Sequence, residues 1–358
     1  MNVLVLTNMR PSKQQPYAGI FVVNQFEKLK QTPGISATLF SMERKFTGFA
    51  GSTLKYTQAI FRFVPMLFRK FHVLHVHFFY PFILLAHFYR LFHRNAKIVV
   101  TFHGSDITSH INSSRSIRFF SRIARKTDYL IAVSHNLSDT VSTKLGSAPD
   151  LVMCAGIDRS VFYKMDAIKK EYDFIFAGSL TYLKGADLVI EAIKSMNTTG
   201  IRLCIAGSGP YRDSFIKLGK EYSIDLKEKQ NQQQLRELFN KSRFLVLPSR
   251  QESFGLVVTE AMYCGTPGIV SQVGGLPEQI NDTGNGFFIE ELSCNALKKA
   301  LEYALALPEK KYQQMAENAL VSNKNYSLDT VCDTTASIYK ALSKDDKYES
   351  RLGNGIKN

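Results

Sequence analysis

Cysteine is sparse and scattered in this chain of 358 residues: Cys154, Cys204, Cys264, Cys294 and Cys332. No two stand at metal-ligand or redox spacing, so they read as core residues of a cytosolic protein. Long apolar runs are missing too. The opening Met1-Asn2-Val3-Leu4-Val5-Leu6-Thr7 has no basic n-region and too short an apolar run for a signal peptide, and it reads as a first core strand. The most apolar later stretch, 78–92, is interrupted by His87 and Arg90 and is too short and too polar to span a bilayer. No repeat of fixed period is present, and low complexity is confined to the polar tail, 343–358, which is expected to be disordered. Acidic residues are scarce in one half only. Residues 1–165 hold 21 Lys and Arg against 7 Asp and Glu, whereas 166–358 hold 24 of each. The whole net charge of +14 therefore sits in the amino-terminal half, which implies an anionic partner or surface for that half alone.

What is present is α/β alternation. The length suffices for two domains with real cores, and an apolar content of 45% fits a soluble globular protein. In the first half, strand-like runs at 3–6, 36–41, 73–77, 97–102, 129–133 and 151–153 are separated by helix-like runs such as 22–30, 54–70 and 136–144. The pattern restarts at 172–177 after a charged stretch, 164–173, where a domain boundary is expected. Alternation of this kind predicts mainly parallel sheets with helices on both faces. Helical runs at 293–306, 309–323 and 328–342 close the chain.

One stretch concentrates the polar chemistry. The apolar run 244–247 stops at Pro248, a polar loop with Glu252 and Gly255 follows, and a helix begins near Leu256 with Glu260 inside it. This puts a loop at the carboxyl end of a strand, where open α/β sheets bind ligands. Helix-start amides favour phosphate, glycine permits close approach, and a carboxylate accepts from sugar hydroxyls. Taken alone, the two acids are as easily a solvated loop acid and a helix-surface acid. Gly178-Ser179-Leu180-Thr181-Tyr182-Leu183-Lys184-Gly185 is a second loop suited to a diphosphate, with Lys184 supplying charge. Gly207-Ser208-Gly209-Pro210 has Arg212 where a dinucleotide fold needs its third glycine, which argues against a dehydrogenase. Gly19, ending the long first loop from Asn8, opens a helix and reads as a phosphate contact or as a plain turn. His103, in Thr101-Phe102-His103-Gly104-Ser105-Asp106, follows an apolar strand at the sheet's carboxyl edge. Ser134 reads equally as a strand-end residue or a helix N-cap.

The pattern Pro248-Ser249-x-x-Glu252-x-Phe254-Gly255-Leu256, then Glu260, then Gly265-Thr266-Pro267, resembles the Glu-x7-Glu signature of retaining GT-B glycosyltransferases, and glycosyltransferase family 4 in particular. The segments around Gly19, His103, Ser134, Gly156-Ile157-Asp158, Lys184, Gly207 and Gly274-Gly275 follow in family order, with Asn285-Gly286 as a turn nearby. The resemblance implies two Rossmann-like domains facing a cleft: an acceptor-binding domain over 1–163 and a nucleotide-sugar domain over 164–327. A helix over 328–343 crosses back to the first, and 344–358 forms the tail. It also implies that Glu252 touches the donor sugar, that Glu260 binds the ribose, and that His103 lies near the reacting sugar. Donor contacts are implied for Gly19, Gly178, Ser179, Lys184, Gly207, Gly209, Arg250, Phe254, Gly255 and Leu256. His103, Glu252 and Lys184 form the catalytic set. The family's phosphate-binding Arg is Ser179 in this chain, so Lys184 works alone or another cation, with Arg250 as the candidate, joins it. The family uses no metal or other cofactor. The implied reaction is same-face transfer from a nucleotide sugar, UDP placed ahead of GDP and ADP, to a lipid-linked glycan of bacterial surface polysaccharide.

The sequence bears on three other readings. A soluble acceptor fits the same motifs. A sugar phosphorylase of similar shape would carry pyridoxal phosphate on a lysine in a much longer chain. A basic nucleic-acid-binding module leaves the motifs of the neutral half unexplained, so no nucleic acid partner is expected. The basic half yields one more expectation. Arg115, Arg118, Arg122 and Arg125 share a helical face, with Ile117, Phe120 and Ala124 on another. Residues 61–71 are also basic and aromatic. Ordinary solvated helix faces account for such patterns, but two of them in the basic half suggest a cytoplasmic enzyme docked peripherally on an anionic membrane surface.

Overall fold

The computed structural model describes residues 1–11, 18–42, 57–196, 200–280, 284–322 and 324–344. Among these, the contacts divide into two units, one of 1–11, 18–156 and 328–344, the other of 157–327. The expected first loop between Pro11 and Ala18, the start of the helical run at 54–56, Asn323 and the tail from Asp345 lie outside the described residues.

The first unit is built on a six-stranded sheet in the order β2-β1-β3-β4-β5-β6, from β1 (Asn2–Thr7), β2 (Ser36–Ser41), β3 (Val73–His77), β4 (Lys97–Phe102), β5 (Tyr129–Ala132) and β6 (Leu151–Val152). All its pairings are parallel. Every residue of β3 and β5 is buried, as a parallel sheet covered on both faces requires. The second unit repeats the plan in the order β12-β11-β10-β7-β8-β9, from β7 (Tyr172–Ala177), β8 (Arg202–Ala206), β9 (Ser223–Lys227), β10 (Ser242–Leu247), β11 (Gly268–Ser271) and β12 (Gly286–Ile289). Its pairings are parallel as well.

Three local expectations are corrected. The run 54–70 is helical over 57–63 and then tightens into the 3-10 turn Val64–Phe68, because Pro65 supplies no N–H to continue an α-helix. The Asn285-Gly286 turn lies one residue earlier, at Gly284 and Asn285, and Gly286 already starts β12. Gly286 pairs with Gly268, and a Cβ on it would lie 2.4 Å from the Gly268 carbonyl oxygen. The passage between units falls at Gly156 and Ile157, ahead of the charged stretch, since Ile157 and Phe162 are buried in the core of the second unit.

The last helix, Leu328–Lys344, belongs to the first unit. Leu328, Cys332, Ala336 and Tyr339 pack into the same core as Val73, Val99 and Ile131. Tyr339 reaches the middle of β3: its hydroxyl lies 2.5 Å from Nδ1 of His75, whose Nε2 lies 2.8 Å from Thr101 Oγ1. Both rings are fully buried, so this hydrogen bond has no water to replace it. Tyr339→Phe should destabilise the first unit by about 1–3 kcal/mol, the cost of stranding a buried imidazole nitrogen. Urea unfolding followed by circular dichroism would read it as a lower midpoint, and an unchanged midpoint would mean that the helix is held by apolar packing alone.

Candidate active site

In the second unit, the loops leaving β7, β8, β10 and β11 meet backbone to backbone. Gly185, at φ 73°, caps the helix Ala186–Ser195, and a Cβ on it would lie 2.1 Å from the Pro248 carbonyl oxygen. A Cβ on Gly274, at φ 57°, would lie 1.6 Å from the carbonyl oxygen of Glu252. Gly207 and Gly209, expected to border the nucleotide, are pressed against the β7 loop. Their added Cβ atoms would meet the Gly178 carbonyl oxygen at 1.9 Å and that of Leu180 at 2.6 Å. These glycines are thus required by loop-to-loop packing, whatever they border. Gly178 has open space beside it, and Ser179 is exposed.

This packing sets Lys184 beside Glu252, their Nζ and Oε2 atoms 2.5 Å apart. Glu252 is the more enclosed partner, with 12% of its side chain exposed, and its Oε1 accepts the Ser253 N–H at 3.2 Å. Gly255, at φ 86° and ψ 55°, then starts the helix Leu256–Tyr263. That left-handed conformation suits glycine, and a Cβ would collide with Leu276 Cδ2 at 2.5 Å. No side chain caps this helix and no acid stands in its first turn, so no side chain neutralises its positive end. Gln279 holds the loop from behind. Its Nε2 donates to the carbonyl oxygens of Phe254 and Gly255, while its Oε1 accepts from Thr259 Oγ1 at 2.6 Å. Leu256 is half-buried, and the Phe254 ring is buried edge-on against Tyr326 at 5.0 Å, so only its backbone is offered outward.

Arg250 does not stand free. Its guanidinium forms a fork on the Asp187 carboxylate at 2.7 and 2.8 Å, donates to the Tyr182 carbonyl oxygen at 2.7 Å, and sits 3.7 Å over the Tyr182 ring. With the Arg250 N–H on the Leu183 carbonyl oxygen at 2.8 Å, the residue braces the loop that carries Lys184. Glu260 is the opposite case. It has no hydrogen bond or ion pair among the described residues, and burial pushes its carboxyl up to about 7. A group poised there changes charge when a donor reaches it. The Ser249 hydroxyl is buried without a partner among the described residues.

The first unit gathers a second cluster at the carboxyl ends of β1, β3 and β4. Gly19, at φ 67°, opens the helix Ile20–Lys30 with no side-chain cap, and a Cβ on it would lie 2.9 Å from Met9 Cβ. The next turn brings the Phe21 ring within 4.9 Å of the His103 ring. His103 follows β4. Its Nε2 lies 3.2 Å from Nδ1 of His77, the last residue of β3. Asp106, buried, accepts the N–H groups of His103, Gly104 and Phe79 at 3.2, 2.8 and 2.7 Å. Ser134 is an N-cap, its hydroxyl accepting the Leu137 N–H at 3.2 Å. Sequence reading missed His77, Phe21 and Asp106. The one signal for His77 is the His75-x-His77 alternation on an otherwise apolar strand.

Arg115, Arg118, Arg122 and Arg125 are all exposed on and just beyond the helix Ser114–Ala124, which buries Phe120 and Ala124 on its other side. Phe120 packs against Phe79 and Tyr80 at the start of the helix Phe79–Phe92. That helix exposes Phe88, Leu91 and Phe92. Its far end is tied to the 3-10 turn Val64–Phe68 by the His93 Nε2 contact to the Leu67 carbonyl oxygen at 2.8 Å, and Phe61 and Phe68 are exposed there. No helix among the described residues is long and apolar enough to cross a membrane. None of their His, Cys, Asp and Glu side chains gather in threes where a metal ion could be held.

Residues 4–160 match the model of Glycosyltransferase Family 4, and residues 161–321 match that of Glycosyl transferases group 1. An uncharacterized glycosyltransferase of Methanocaldococcus jannaschii is 30% identical over 250 residues, 68% of each chain. The N-acetyl-alpha-D-glucosaminyl L-malate synthase of Bacillus anthracis is 29% identical over 292 residues, 77% of this chain and 76% of that one. Among solved structures, Anabaena HepE in complex with UDP and glucose superposes with a TM-score of 0.76 at 15% identity, over 95% of this chain and 100% of HepE. With its two six-stranded parallel sheets, the chain belongs to the GT-B glycosyltransferases of the family 4 type.

Proposed function

We propose that the enzyme transfers a sugar, with retention of configuration, from a nucleotide sugar to an acceptor hydroxyl, and that UDP is the nucleotide. The observation that carries the reading is the Lys184–Glu252 pair beside an uncapped helix start. A diphosphate attracts Lys184 and the helix-start amides of 255–257. Its arrival draws Lys184 off Glu252, and the freed carboxylate then accepts from a donor-sugar hydroxyl. Glu260 takes the ribose hydroxyls. As the glycosidic bond breaks, charge grows on the leaving phosphate, where a fixed cation and fixed dipoles stabilise it most. These groups supply the charge without a metal or other cofactor. In this reading no carboxylate acts as a nucleophile: the acceptor attacks the face that the phosphate leaves, and the phosphate takes its proton. His103 orients the reacting sugar. Ser179 and Arg250 shape the donor loop rather than adding a second phosphate cation. UDP is favoured by the likeness to HepE, which binds UDP and glucose.

The acceptor is proposed to be a lipid-linked glycan of surface polysaccharide, met at an anionic membrane on the cytoplasmic side. Support comes from the exposed Arg row and the protruding Phe61, Phe68, Leu91 and Phe92 in the basic half. Basic residues at such a surface each contribute about 1 kcal/mol. A soluble acceptor is the second reading, favoured by the likeness to the malate synthase.

Three outcomes are expected. Lys184→Ala should weaken UDP by about 1.5–3 kcal/mol, as for a hydrogen bond to a charged group, while leaving uridine unchanged. Calorimetric titration checks this, and equal losses for both ligands would remove Lys184 from the diphosphate.

The second concerns pH. Ribose hydroxyls donate to the ionised form of Glu260, so UDP should expel a proton wherever the free carboxyl, at about 7, is still protonated. Affinity should therefore rise between about pH 6 and pH 8. Phosphate ionisation of UDP acts in the same range, so the control is Glu260→Gln, which should flatten the profile and lower affinity chiefly at the alkaline end. An identical profile in the variant would place Glu260 away from the ribose.

Finally, sedimentation with anionic vesicles should recover the enzyme, less so as salt rises, and replacing Arg115, Arg118, Arg122 and Arg125 by Gln should reduce recovery. Equal recovery on neutral vesicles would favour the soluble acceptor.

A further inference from the structure

His103 is held from three sides. Asp106 fixes its backbone through the N–H groups of His103 and Gly104. The rings of Phe21 and Phe78 lie 4.9 and 4.5 Å from its own ring. Phe78 takes a positive φ of 68°, a conformation that costs an aromatic residue energy and persists where the surroundings impose it. The third hold is polar. The imidazoles of His77 and His103 lie nearly parallel, at 23°, with Nδ1 of His77 3.2 Å from Nε2 of His103. His77 is confined, because it ends a fully buried strand and its ring centroid lies 4.2 Å from that of His75, itself fixed by Tyr339 and Thr101.

We propose that His77 is the positioning residue for His103: through this one hydrogen bond it ties the tautomer of His103 to its own and leaves Nδ1 as the ring nitrogen that meets the sugar. Burial keeps both rings neutral, lowering His77 to about 3 and His103 well below its ordinary value. Two neutral imidazoles facing through one nitrogen each share a single hydrogen. If His77 gives it, His103 carries its own hydrogen on Nδ1 and donates to the ligand. If His103 gives it, Nδ1 is a lone pair and accepts. A loose His103 would present a mixture of the two, and any sugar hydroxyl would meet the wrong form part of the time.

The inference rests on the proposed role of His103, so the test separates the two. His77→Phe keeps the ring bulk and removes the partner. His77→Asn keeps an amide where Nδ1 stood. Turnover, read as hydrolysis of UDP-glucose or whichever UDP-sugar the enzyme cleaves, should fall about tenfold in His77→Phe, the scale of one buried hydrogen bond. UDP affinity should stay within about twofold, and His77→Asn should regain most of the loss. Independently of activity, ring-nitrogen NMR of histidine-labelled enzyme, with His103 assigned by its loss in His103→Ala, should show one neutral tautomer in the native protein and averaging in His77→Phe. An averaged His103 in the native enzyme overturns the proposal. So does a His77→Phe enzyme with native turnover and native His103 shifts. If His103→Ala is fully active, the catalytic role of His103 falls, and the NMR arm alone decides whether His77 positions it. Should His77→Phe fail to fold, the native and His77→Asn spectra decide in the same way.

Discussion

The candidate donor site depends on backbone touching backbone. Gly185 meets the Pro248 carbonyl, Gly274 meets the Glu252 carbonyl, and Gly207 meets the carbonyl of Gly178, each where a single Cβ would collide. Ordinary side chains would hold these loops apart by the width of a methyl group or more. Charged groups on the loops would then stand too far apart to pair. Contact at this range also removes the water that would screen those charges, which raises the value of each correctly placed one.

The charges are then sorted. Arg250 and Asp187 are spent on each other within the scaffold, a bidentate pair reinforced by the Tyr182 ring. Lys184 and Glu252 are paired with each other but partly open to solvent, and in the proposed reaction a phosphate competes for one and a hydroxyl for the other. Glu260 has no partner among the described residues, and burial raises its carboxyl to about 7. This ordering from rigid brace to exchangeable pair to poised acid runs along a few loops, and it separates residues that look alike in the sequence. Arg250 and Lys184 are both loop cations, and only the neighbours distinguish them.

Much of the architecture was legible because parallel strands leave a strong trace. Runs such as Ile98-Val99-Val100 are buried on both faces, and glycine-bearing loops follow them at the carboxyl ends. The placing of Glu252, Gly255 and Glu260 after a strand was legible for the same reason, since the pattern rides on one strand, one loop and one helix. What the sequence hid is pairing between distant segments. Arg250 finds Asp187 across 63 positions and His77 finds His103 across 26, and no local spacing encodes either. The weakly polar strand Ser223–Lys227 escaped notice because it lies at the sheet edge and is only half-buried, without a continuous apolar run. The Pro65 break was hidden by the aromatic and basic residues around it, which continue a helical pattern that the backbone cannot.

The closing helix Leu328–Lys344 carries a consequence for the order of events during synthesis. The first unit is discontinuous: its sheet is made from the beginning of the chain, but Cys332, Ala336 and Tyr339 complete its core. Among the described residues the second unit comes from one stretch, 157–327. A ribosome extending from the amino end therefore finishes every residue of the second unit before the first has its last helix. Domains generally fold as units once their residues are available. The segment encoded later is thus the first able to reach its final state, while the sheet made earliest, already covered in part by Val22, Phe26 and Leu29, must wait for the last helix to complete its core.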